Sequence, residues 1–385
     1  MATYVNIPVG IDGVSSVCYS PDLKKPYLAV GTNTGRFRLL DCSTQNEPRF
    51  ICRSRWHKSI RNLAFFPSAS NLLLSTSSHS GIKIHDIELQ KRVWLSLKAH
   101  GHTPISALVV TDEHQWATGD ENGTVQLWDR RQPGPRMVIE RKDEENPSDL
   151  VFGTINDLAV GSDTRKWLYA ATDDGCLAVY NLRRRRLDVL SDALGYSART
   201  VAVVHGGRYI VVGTEEGVLC QFSLNEFETC TERFPLKSDT RSAHGLPTVE
   251  KMVTITDNLI AVATDDGCIH AVSIIPNRCL GLIGRHGNPQ SPDVISGDCM
   301  DLSVNWNSTM LASGCPATQT VCFWPLSQWT AKNRNMSNCK RKKRSVSLDE
   351  AQQDYLSGLL DTHDQAGDDS AGDSECSDDS EGCSG

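Results

Sequence analysis

Pairs of neighbouring carboxylates are the feature of this 385-residue sequence that most readily suggests chemistry. They occur as Asp173-Asp174, Glu215-Glu216 and Asp265-Asp266, and a glycine directly follows each pair. Paired carboxylates can act as general acid and base, or bind Ca²⁺ where several oxygen ligands converge on one point. The glycines that follow them, at 175, 217 and 267, are 42 and 50 residues apart, so the pairs are distributed along the chain. We therefore expect these acids to form turns and not a catalytic or metal site.

Other residue types that serve in catalysis are present but are not arranged for it. The sequence has no Gly-x-Ser-x-Gly elbow, no His-Glu-x-x-His zinc motif, no phosphate-binding loop and no dinucleotide-binding glycine fingerprint. Its fourteen cysteines include no Cys-x-x-Cys pair, and residues 1–10 do not resemble a secretory signal, so we expect free structural thiols in a reducing compartment. No apolar run approaches the roughly 18 residues that span a bilayer. We predict no enzymatic activity, no metal or cofactor, and no membrane contact.

Five consecutive basic residues form the clearest linear motif, namely Lys340, Arg341, Lys342, Lys343 and Arg344. A dense cationic segment of this kind fits the acidic groove of a nuclear import carrier. Nonspecific contact with nucleic acid and a merely charged linker are the alternatives. The sequence predicts a nuclear localisation signal within a basic linker over 330–344.

A second basic run follows a strand-like segment and consists of Arg183, Arg184, Arg185 and Arg186. Its charge density could hold RNA phosphates or an acidic protein. No aromatic residues are interleaved for base stacking, so sequence-specific RNA recognition is not expected. A solvated turn is an equally good interpretation, and a protein or RNA contact here remains a hypothesis.

An internal repeat indicates where these features lie in the fold. The segment 171–177 (ATDDGCL) recurs almost unchanged at 263–269 (ATDDGCI), and 213–219 (GTEEGVL) has the same form. In each, an apolar run enters a turn of acidic residues and glycine, and a second apolar run leaves it, which is the pattern of a β-hairpin. The spacing of the turns is close to the length of a four-stranded propeller blade.

Seven such units can be placed, which predicts an all-β, seven-bladed β-propeller over residues 1–329. Their first strands are expected near Val14, Ile60, Ile105, Ile155, Thr200, Val249 and Met300. Little strand-like sequence follows Trp324, so residues 3–8 should supply the last outer strand and close the ring, which removes an exposed sheet edge. From Ser345 onward there are twelve acidic residues and no Lys or Arg, which predicts a disordered acidic C-terminal tail over 345–385.

The third predicted blade carries the dipeptide Trp128-Asp129 and resembles the WD-repeat family. In that family a tryptophan, a serine or threonine, a histidine and a turn aspartate form a hydrogen-bonded set. The resemblance implies Trp128, Thr118 and His100 (or His102) for this set, with Asn122 at the aspartate position. In blade seven it implies a partial set in which threonine replaces the aspartate: Trp324, Ser313, His286 and Thr318. In blades four to six the tryptophan position is occupied by Tyr180, Phe222 and Val272.

Trp128, Asp129 and Arg131 also match a Trp-Asp-x-Arg pattern. Some WD-repeat proteins dock through this pattern on the adaptor of cullin-RING ubiquitin ligases. The resemblance implies that Asp129 and Arg131 are exposed on one propeller face, where a planar guanidinium can make bidentate contacts. The alternative is that Trp128 and Asp129 serve the blade and that Arg131 is merely solvated.

Several short segments are similar to a nucleolar branch of the WD-repeat family. They are 117–120 (ATGD), 173–177 (DDGCL), 180–186 (YNLRRRR), 276–278 (PNR) and 354–359 (DYLSGL). This resemblance implies a protein of the nucleolus and nucleus, with the cytoplasm as a further location, that supports ribosomal RNA production and ribosome biogenesis. Its partners would be pre-ribosomal factors, with or without direct RNA contact. A substrate receptor of a cullin-RING ligase is the alternative function.

Overall fold

The computed structural model of the chain describes residues 5–8, 12–43, 48–139, 153–161, 167–236, 246–286, 299 and 301–333. The chain divides into a compact unit of residues 1–331 and a second unit, 332–385, of which only residues 332 and 333 are described. The predicted basic cluster at 340–344 and the predicted acidic tail therefore lie outside the described residues.

The described strands form seven four-stranded antiparallel sheets, the blades of a propeller. The chain begins with β1 (Val5–Pro8), which belongs to the last blade. Blade 1 contains β2 (Val14–Tyr19), β3 (Tyr27–Thr32), β4 (Arg36–Asp41) and β5 (Arg49–Arg55). Blade 2 contains β6 (Asn62–Phe66), β7 (Ala69–Thr76), β8 (Ile82–Asp86) and β9 (Lys91–Ser96). Blade 3 contains β10 (Ile105–Val110), β11 (Gln115–Asp120), β12 (Val125–Asp129) and β13 (Pro135–Ile139).

The remaining four blades repeat the same order of strands. Blade 4 contains β14 (Ile155–Val160), β15 (Trp167–Thr172), β16 (Leu177–Asn181) and β17 (Arg186–Leu190). Blade 5 contains β18 (Ala198–Val204), β19 (Tyr209–Thr214), β20 (Val218–Ser223) and β21 (Glu232–Pro235). Blade 6 contains β22 (Val249–Thr256), β23 (Leu259–Thr264), β24 (Cys268–Ser273) and β25 (Arg278–Arg285). Blade 7 contains β26 (Asp301–Val304), β27 (Met310–Cys315), β28 (Thr320–Pro325) and the amino-terminal β1.

The seven blades close into a ring. Their first strands contact one another in the order β2, β6, β10, β14, β18, β22 and β26, and β26 in turn contacts β2. Strand β1 runs antiparallel to β28, with Val5 opposite Phe323 and Pro8 opposite Thr320. The predicted all-β propeller is thus confirmed, each first strand begins within two residues of its predicted position, and the amino-terminal strand completes the last blade as expected.

The core lies between neighbouring blades because alternate side chains of each strand point to opposite faces of its sheet. On β4 of blade 1, Leu40 packs with Phe323 of blade 7, whereas Phe37 packs with Ile60 on the side of blade 2. Helical structure in the described residues is limited to the 3₁₀ turn His205–Gly207 and to residues 327–333. No helix in these ranges has the length and apolar character needed to cross a membrane.

Gly35 shows why the repeated turns require glycine. It lies between β3 and β4 with a φ of +80°, a conformation that side chains with a Cβ rarely adopt. A Cβ placed on Gly35 would lie 2.0 Å from the carbonyl oxygen of His57, which is part of the backbone. Both the conformation and the close approach of the next blade therefore exclude a side chain here.

Candidate interaction site

A chain of buried hydrogen bonds runs through blade 3. The indole Nε1 of Trp128 donates to the hydroxyl of Thr118 at 2.8 Å, and this hydroxyl lies 2.7 Å from Nε2 of His100. His100 Nδ1 lies 2.7 Å from Oδ2 of Asp120. Because a carboxylate only accepts, Nδ1 carries a proton, and a neutral ring then accepts the Thr118 proton at Nε2. Four side chains thus form one directed network from indole to carboxylate.

Asp120 corrects the prediction that Asn122 occupies the aspartate position of blade 3. Asp120 is the last residue of β11, and its Oδ1 accepts the backbone N–H groups of Asn122 and Thr124, which closes the turn. Its other oxygen is thereby aimed at His100. Asn122 instead donates from its side chain to Thr103, and His102, the alternative histidine, is exposed.

Trp128 belongs to the core and not to an exposed contact surface. Its ring is stacked with that of Trp116, with 6.3 Å between centroids and 6° between planes. The ring of Trp94 meets it edge-on at 5.9 Å. Trp128 and Trp116 are both fully buried in the cluster between blades 2 and 3. Of the three residues predicted to form the adaptor contact, Trp128 therefore packs in the core near the end of β12.

Asp129 holds Arg131 at the surface. Only 1% of Asp129 is exposed, contrary to the expectation that this carboxylate lies on the propeller face, whereas 61% of the Arg131 side chain is exposed. The Arg131 guanidinium donates Nε to Oδ1 at 2.8 Å and one terminal nitrogen to Oδ2 at 2.6 Å. The backbone N–H of Arg131 donates to the same Oδ1 at 3.0 Å. This bidentate contact fixes the orientation of a guanidinium that is mostly exposed.

The electrostatics of the pair keep Asp129 ionised. Hydrogen bonding from the Arg131 side chain lowers the pKa of Asp129 from its usual value to about 2, against an opposing effect of burial. The same contact raises the pKa of Arg131. The neighbouring Arg130 is oriented separately, because its Nε donates to Nδ1 of His114 at 2.9 Å. Arg131 is therefore a permanently charged, preorganised donor at the end of β12.

Blade 7 repeats part of the blade-3 network. Trp324 Nε1 donates to Ser313 Oγ at 2.7 Å, and Ser313 Oγ lies 2.6 Å from Nε2 of His286. The predicted replacement of the aspartate by Thr318 is wrong, since His286 Nδ1 instead faces the Cys322 thiol at 3.6 Å. Burial lowers the pKa of His286 to about 4, so the ring is neutral at physiological pH.

Blade 2 contains a histidine–serine pair that the sequence did not reveal as a pair. His57 Nε2 lies 3.0 Å from Ser75 Oγ, and His85 stands where blades 3 and 7 have tryptophan. The sequence offered one signal for this pair, because His57 precedes the first strand of its blade as His100 and His286 do. In blades 4 to 6 the tryptophan position is filled by the buried Tyr180, Phe222 and Val272, which lie where the sequence placed them.

The arginine run of blade 4 lies in the turn between β16 and β17, with Arg186 as the first residue of β17. Asn181 builds this turn by accepting the backbone N–H groups of Arg183 and Arg184 on its side-chain oxygen. Asp188 accepts from Arg186 Nε at 2.9 Å. Arg183, Arg184 and Arg185 are exposed and make no ion pair with a described residue. Asn181 and Asp188 therefore stabilise this turn, and no ion pair with a described residue neutralises the charges of its three exposed arginines.

Two acids on first strands lie around the central channel, the buried Asp157 and the half-buried Asp301. Asp157 Oδ1 is 2.8 Å from the Lys251 ammonium, and its Oδ2 accepts the Thr200 hydroxyl at 2.8 Å. Asp301 Oδ2 accepts the hydroxyl of Ser16 at 2.8 Å. Thr200 and Ser16 each lie in the blade next to that of the carboxylate to which they donate, whereas Lys251 lies two blades from Asp157, so these contacts join different blades around the ring. These hydrogen bonds hold the first strands of different blades together.

The paired acids form hydrogen bonds within their own turns. Asp266 Oδ1 accepts the Thr264 hydroxyl at 2.6 Å and the backbone N–H of Cys268 at 3.1 Å. Asp174 accepts the hydroxyl of Thr172 in the same manner. Over the ranges that the structure describes, no three His, Cys, Asp or Glu residues are grouped to hold a metal, and the eleven cysteines there are free. These acids therefore form turns, as the sequence predicts.

Comparison with known proteins agrees with this geometry. A family model described as WD domain, G-beta repeat matches residues 93–129. The match begins in β9, the outer strand of blade 2, and ends at Asp129, the last residue of β12 in blade 3. One sequence repeat therefore contains the outer strand of one blade and the first three strands of the next. It contains the complete hydrogen-bonded network of blade 3.

Longer similarity is found to proteins named WD repeat-containing protein 55. The protein of Homo sapiens is 31% identical over 310 residues, which are 79% of this chain and 72% of that protein. The protein of Bos taurus is 30% identical over 305 residues, covering 79% of this chain and 72% of its own length. A homolog from Aedes aegypti is 27% identical over 359 residues, or 90% of this chain and 69% of that protein. The similarity covers most of the chain.

Proposed function

Since this chain belongs to the family of WD repeat-containing protein 55, we propose that it is a non-enzymatic scaffold that supports ribosomal RNA production and ribosome biogenesis in the nucleolus and nucleus. The segments 117–120, 173–177 and 276–278 are the motifs whose resemblance implies this role. A WD-repeat propeller is generally a protein-interaction scaffold. The observation that carries the proposal is this family membership combined with a closed ring of seven blades.

A closed ring suits assembly of several partners. Its first strands are joined around the channel by buried side chains such as Asp157 and Ser16, so its two faces and its rim keep a fixed geometry. Partners bound to different blades are then held at fixed separations. In this proposal pre-ribosomal factors bind the ring, while Lys340–Arg344 engages a nuclear import carrier. The protein works by positioning its partners and not by transforming a substrate.

Proximity labelling in cells tests the proposal. The intact protein and a version ending before Lys340, each fused to the same labelling enzyme, should be compared with the free enzyme. We expect the intact protein to label pre-ribosomal factors at the nucleolus and the shortened protein to lose this enrichment, because it lacks the import signal. An intact protein that labels cullin-ligase subunits and no pre-ribosomal factor would contradict the proposal.

Docking on a cullin-RING adaptor is the second candidate function, and the Asp129–Arg131 contact is the observation that favours it. A guanidinium held in one orientation loses less conformational entropy on binding than a freely rotating one. Arg131 already has its Nε and one terminal nitrogen fixed by a buried carboxylate. Its exposed N–H groups could therefore bind a carboxylate or carbonyl groups of the adaptor.

Changing Arg131 separates the two functions. We expect Arg131→His to reduce co-purification of the adaptor by at least about tenfold, the effect of removing an interface hot spot. Arg136→His is the matched control, because Arg136 is an exposed arginine of the same blade. Quantitative pull-down of the adaptor from cells measures both. Unchanged adaptor recovery with Arg131→His, in a variant with wild-type thermal stability, would refute adaptor docking and leave the ribosomal proposal standing.

A further inference from the structure

Four arginines form a charged surface on the β4–β5 hairpin of blade 1. Arg36 lies opposite Arg55 and Arg38 lies opposite Arg53 in the strand register. We call these four residues, together with Phe50, the blade-1 arginine surface. Like charges directly opposite each other on neighbouring strands are destabilising. The arrangement therefore lowers the stability of the hairpin unless an anion lies over it.

The surface is built by one irregularity in the hairpin. The register shifts between the pairs Leu39–Cys52 and Leu40–Phe50, so that Ile51 is the extra residue of a bulge. Without the bulge, Phe50 and Arg53 would lie on opposite faces of β5, since they are three residues apart. With it, Phe50 lies on the same face as the guanidiniums, and the residue is 37% exposed.

Phe50 contacts two of the four arginines. The Arg53 guanidinium carbon lies 4.7 Å from the centroid of the Phe50 ring, and that of Arg38 lies 6.0 Å from it. An open groove of about 340 Å³ is lined by the four arginines with Phe37 and Ser54. A planar ring flanked by planar cations is thus exposed beside a groove of positive charge.

The charge of this surface is poorly neutralised. Among the described residues, Asp12 is the one acid within ion-pair distance, at 2.6 Å from Arg36 Nη1 and 3.9 Å from Arg38 Nη2. Burial lowers the pKa of Arg38, and the like charges of Arg53 and Arg36 lower it further. Four guanidiniums therefore face one carboxylate of the described part of the chain, which leaves an excess of positive charge among these residues at the groove.

We propose that the blade-1 arginine surface binds single-stranded RNA, with phosphates in the groove and a base stacked on Phe50. Alternate residues of a strand are roughly 7 Å apart, so the arginines of each strand form a ladder comparable with the repeat of an extended nucleic acid backbone. Bases stack on aromatic rings and on guanidinium planes, whereas the carboxylates of an acidic peptide do not. Phe50 is thus the feature that favours RNA over an acidic protein. The inference concerns a surface separate from Arg131 and is independent of the ribosomal proposal.

Binding of the full-length protein to a fluorescent 12-nucleotide oligo(U), followed by anisotropy over a series of KCl concentrations, tests this site. We expect the double change Arg53→Gln, Arg55→Gln to weaken binding at least tenfold. Because each lost phosphate contact on a single strand changes the slope of log K against log salt by about 0.7, two lost contacts should reduce its magnitude by about 1.4. Phe50→Ala should weaken binding about tenfold and leave the slope unchanged, since stacking is not ionic.

The double change Arg278→Gln, Arg285→Gln is the matched control. These two exposed arginines lie on β25, the outer strand of blade 6, and their replacement removes the same charge. Unchanged oligo(U) binding by this control supports the proposal. Absence of wild-type binding at micromolar concentration, equal losses in both double variants, or tighter binding of a 12-residue poly-glutamate peptide than of oligo(U) would each overturn it. Since the substituted residues Phe50, Arg53 and Arg55 are exposed, thermal melting should show that every variant folds.

Discussion

Replacing Thr118 by valine should lower the free energy of unfolding by about 2 to 6 kcal/mol, although the two side chains have nearly the same shape. The Thr118 hydroxyl is the sole link between Trp128 Nε1 and His100 Nε2 in blade 3. Valine leaves both nitrogen atoms buried without a partner, and each such atom costs about 1 to 3 kcal/mol. Asp120 would still hold His100 at Nδ1, so the ring could not turn away to find another partner.

Chemical denaturation of Thr118→Val and Thr118→Ser measures this effect. Serine keeps the hydroxyl and loses one methyl group, which typically costs about 0.5 to 1.5 kcal/mol. We expect the valine variant to be clearly the less stable of the two. Equal stability of the two variants would show that the network contributes little and that blade 3 depends on the stacking of Trp128 with Trp116.

Replacing Gly35 by alanine should destabilise the propeller by about 2 to 5 kcal/mol. The left-handed backbone at Gly35 costs an L-residue about 1 to 2 kcal/mol. The new Cβ would in addition meet the carbonyl oxygen of His57 at 2.0 Å, which forces a backbone shift that typically costs about 1 to 3 kcal/mol more. Because His57 leads into blade 2, the shift should be transmitted to the neighbouring blade.

Gly195→Ala separates the two causes. Gly195 has a φ of +89°, but nothing lies within 4 Å of a Cβ added there. This control should therefore lose only the conformational part, about 1 to 2 kcal/mol. Thermal melting of both variants measures the difference. If Gly195→Ala were as destabilised as Gly35→Ala, contact between the turn and the next blade would not explain the requirement for glycine.

The architecture follows from the sequence because a repeat states the same information several times. The hairpin segment at 171–177 is ambiguous alone, but its recurrence at 213–219 and 263–269 fixes the period and hence the blades. The aspartate of blade 3 was misplaced for a local reason. The sequence pattern indicates a turn at Asp120-Glu121-Asn122, but which acceptor faces His100 depends on where β11 ends. Asp120 accepts two backbone N–H groups on Oδ1, so its Oδ2 is the oxygen left to accept from His100.

Contacts between distant segments could not be predicted in this way. Asp157, Lys251 and Ser16 belong to three different blades, and only the closed ring brings such residues around one channel. The blade-1 arginine surface depends on a bulge at Ile51, and a hairpin without it would present Phe50 on the opposite face. One extra residue in a strand has no clear signature in composition or periodicity. Register is set by packing on both faces, which the sequence states only indirectly.

The pairing of β1 with β28 has a consequence for how the protein is made. Strand β1 emerges from the ribosome before the other described strands, yet its partner ends at Pro325, more than 300 residues later. At roughly 5 to 20 residues per second, that wait lasts for some tens of seconds. During this time β1 has no partner strand and the ring of blades is not closed, so exposed strand edges can pair with other chains. Cells that produce this protein should therefore depend on chaperones during translation until the last strand has been synthesised.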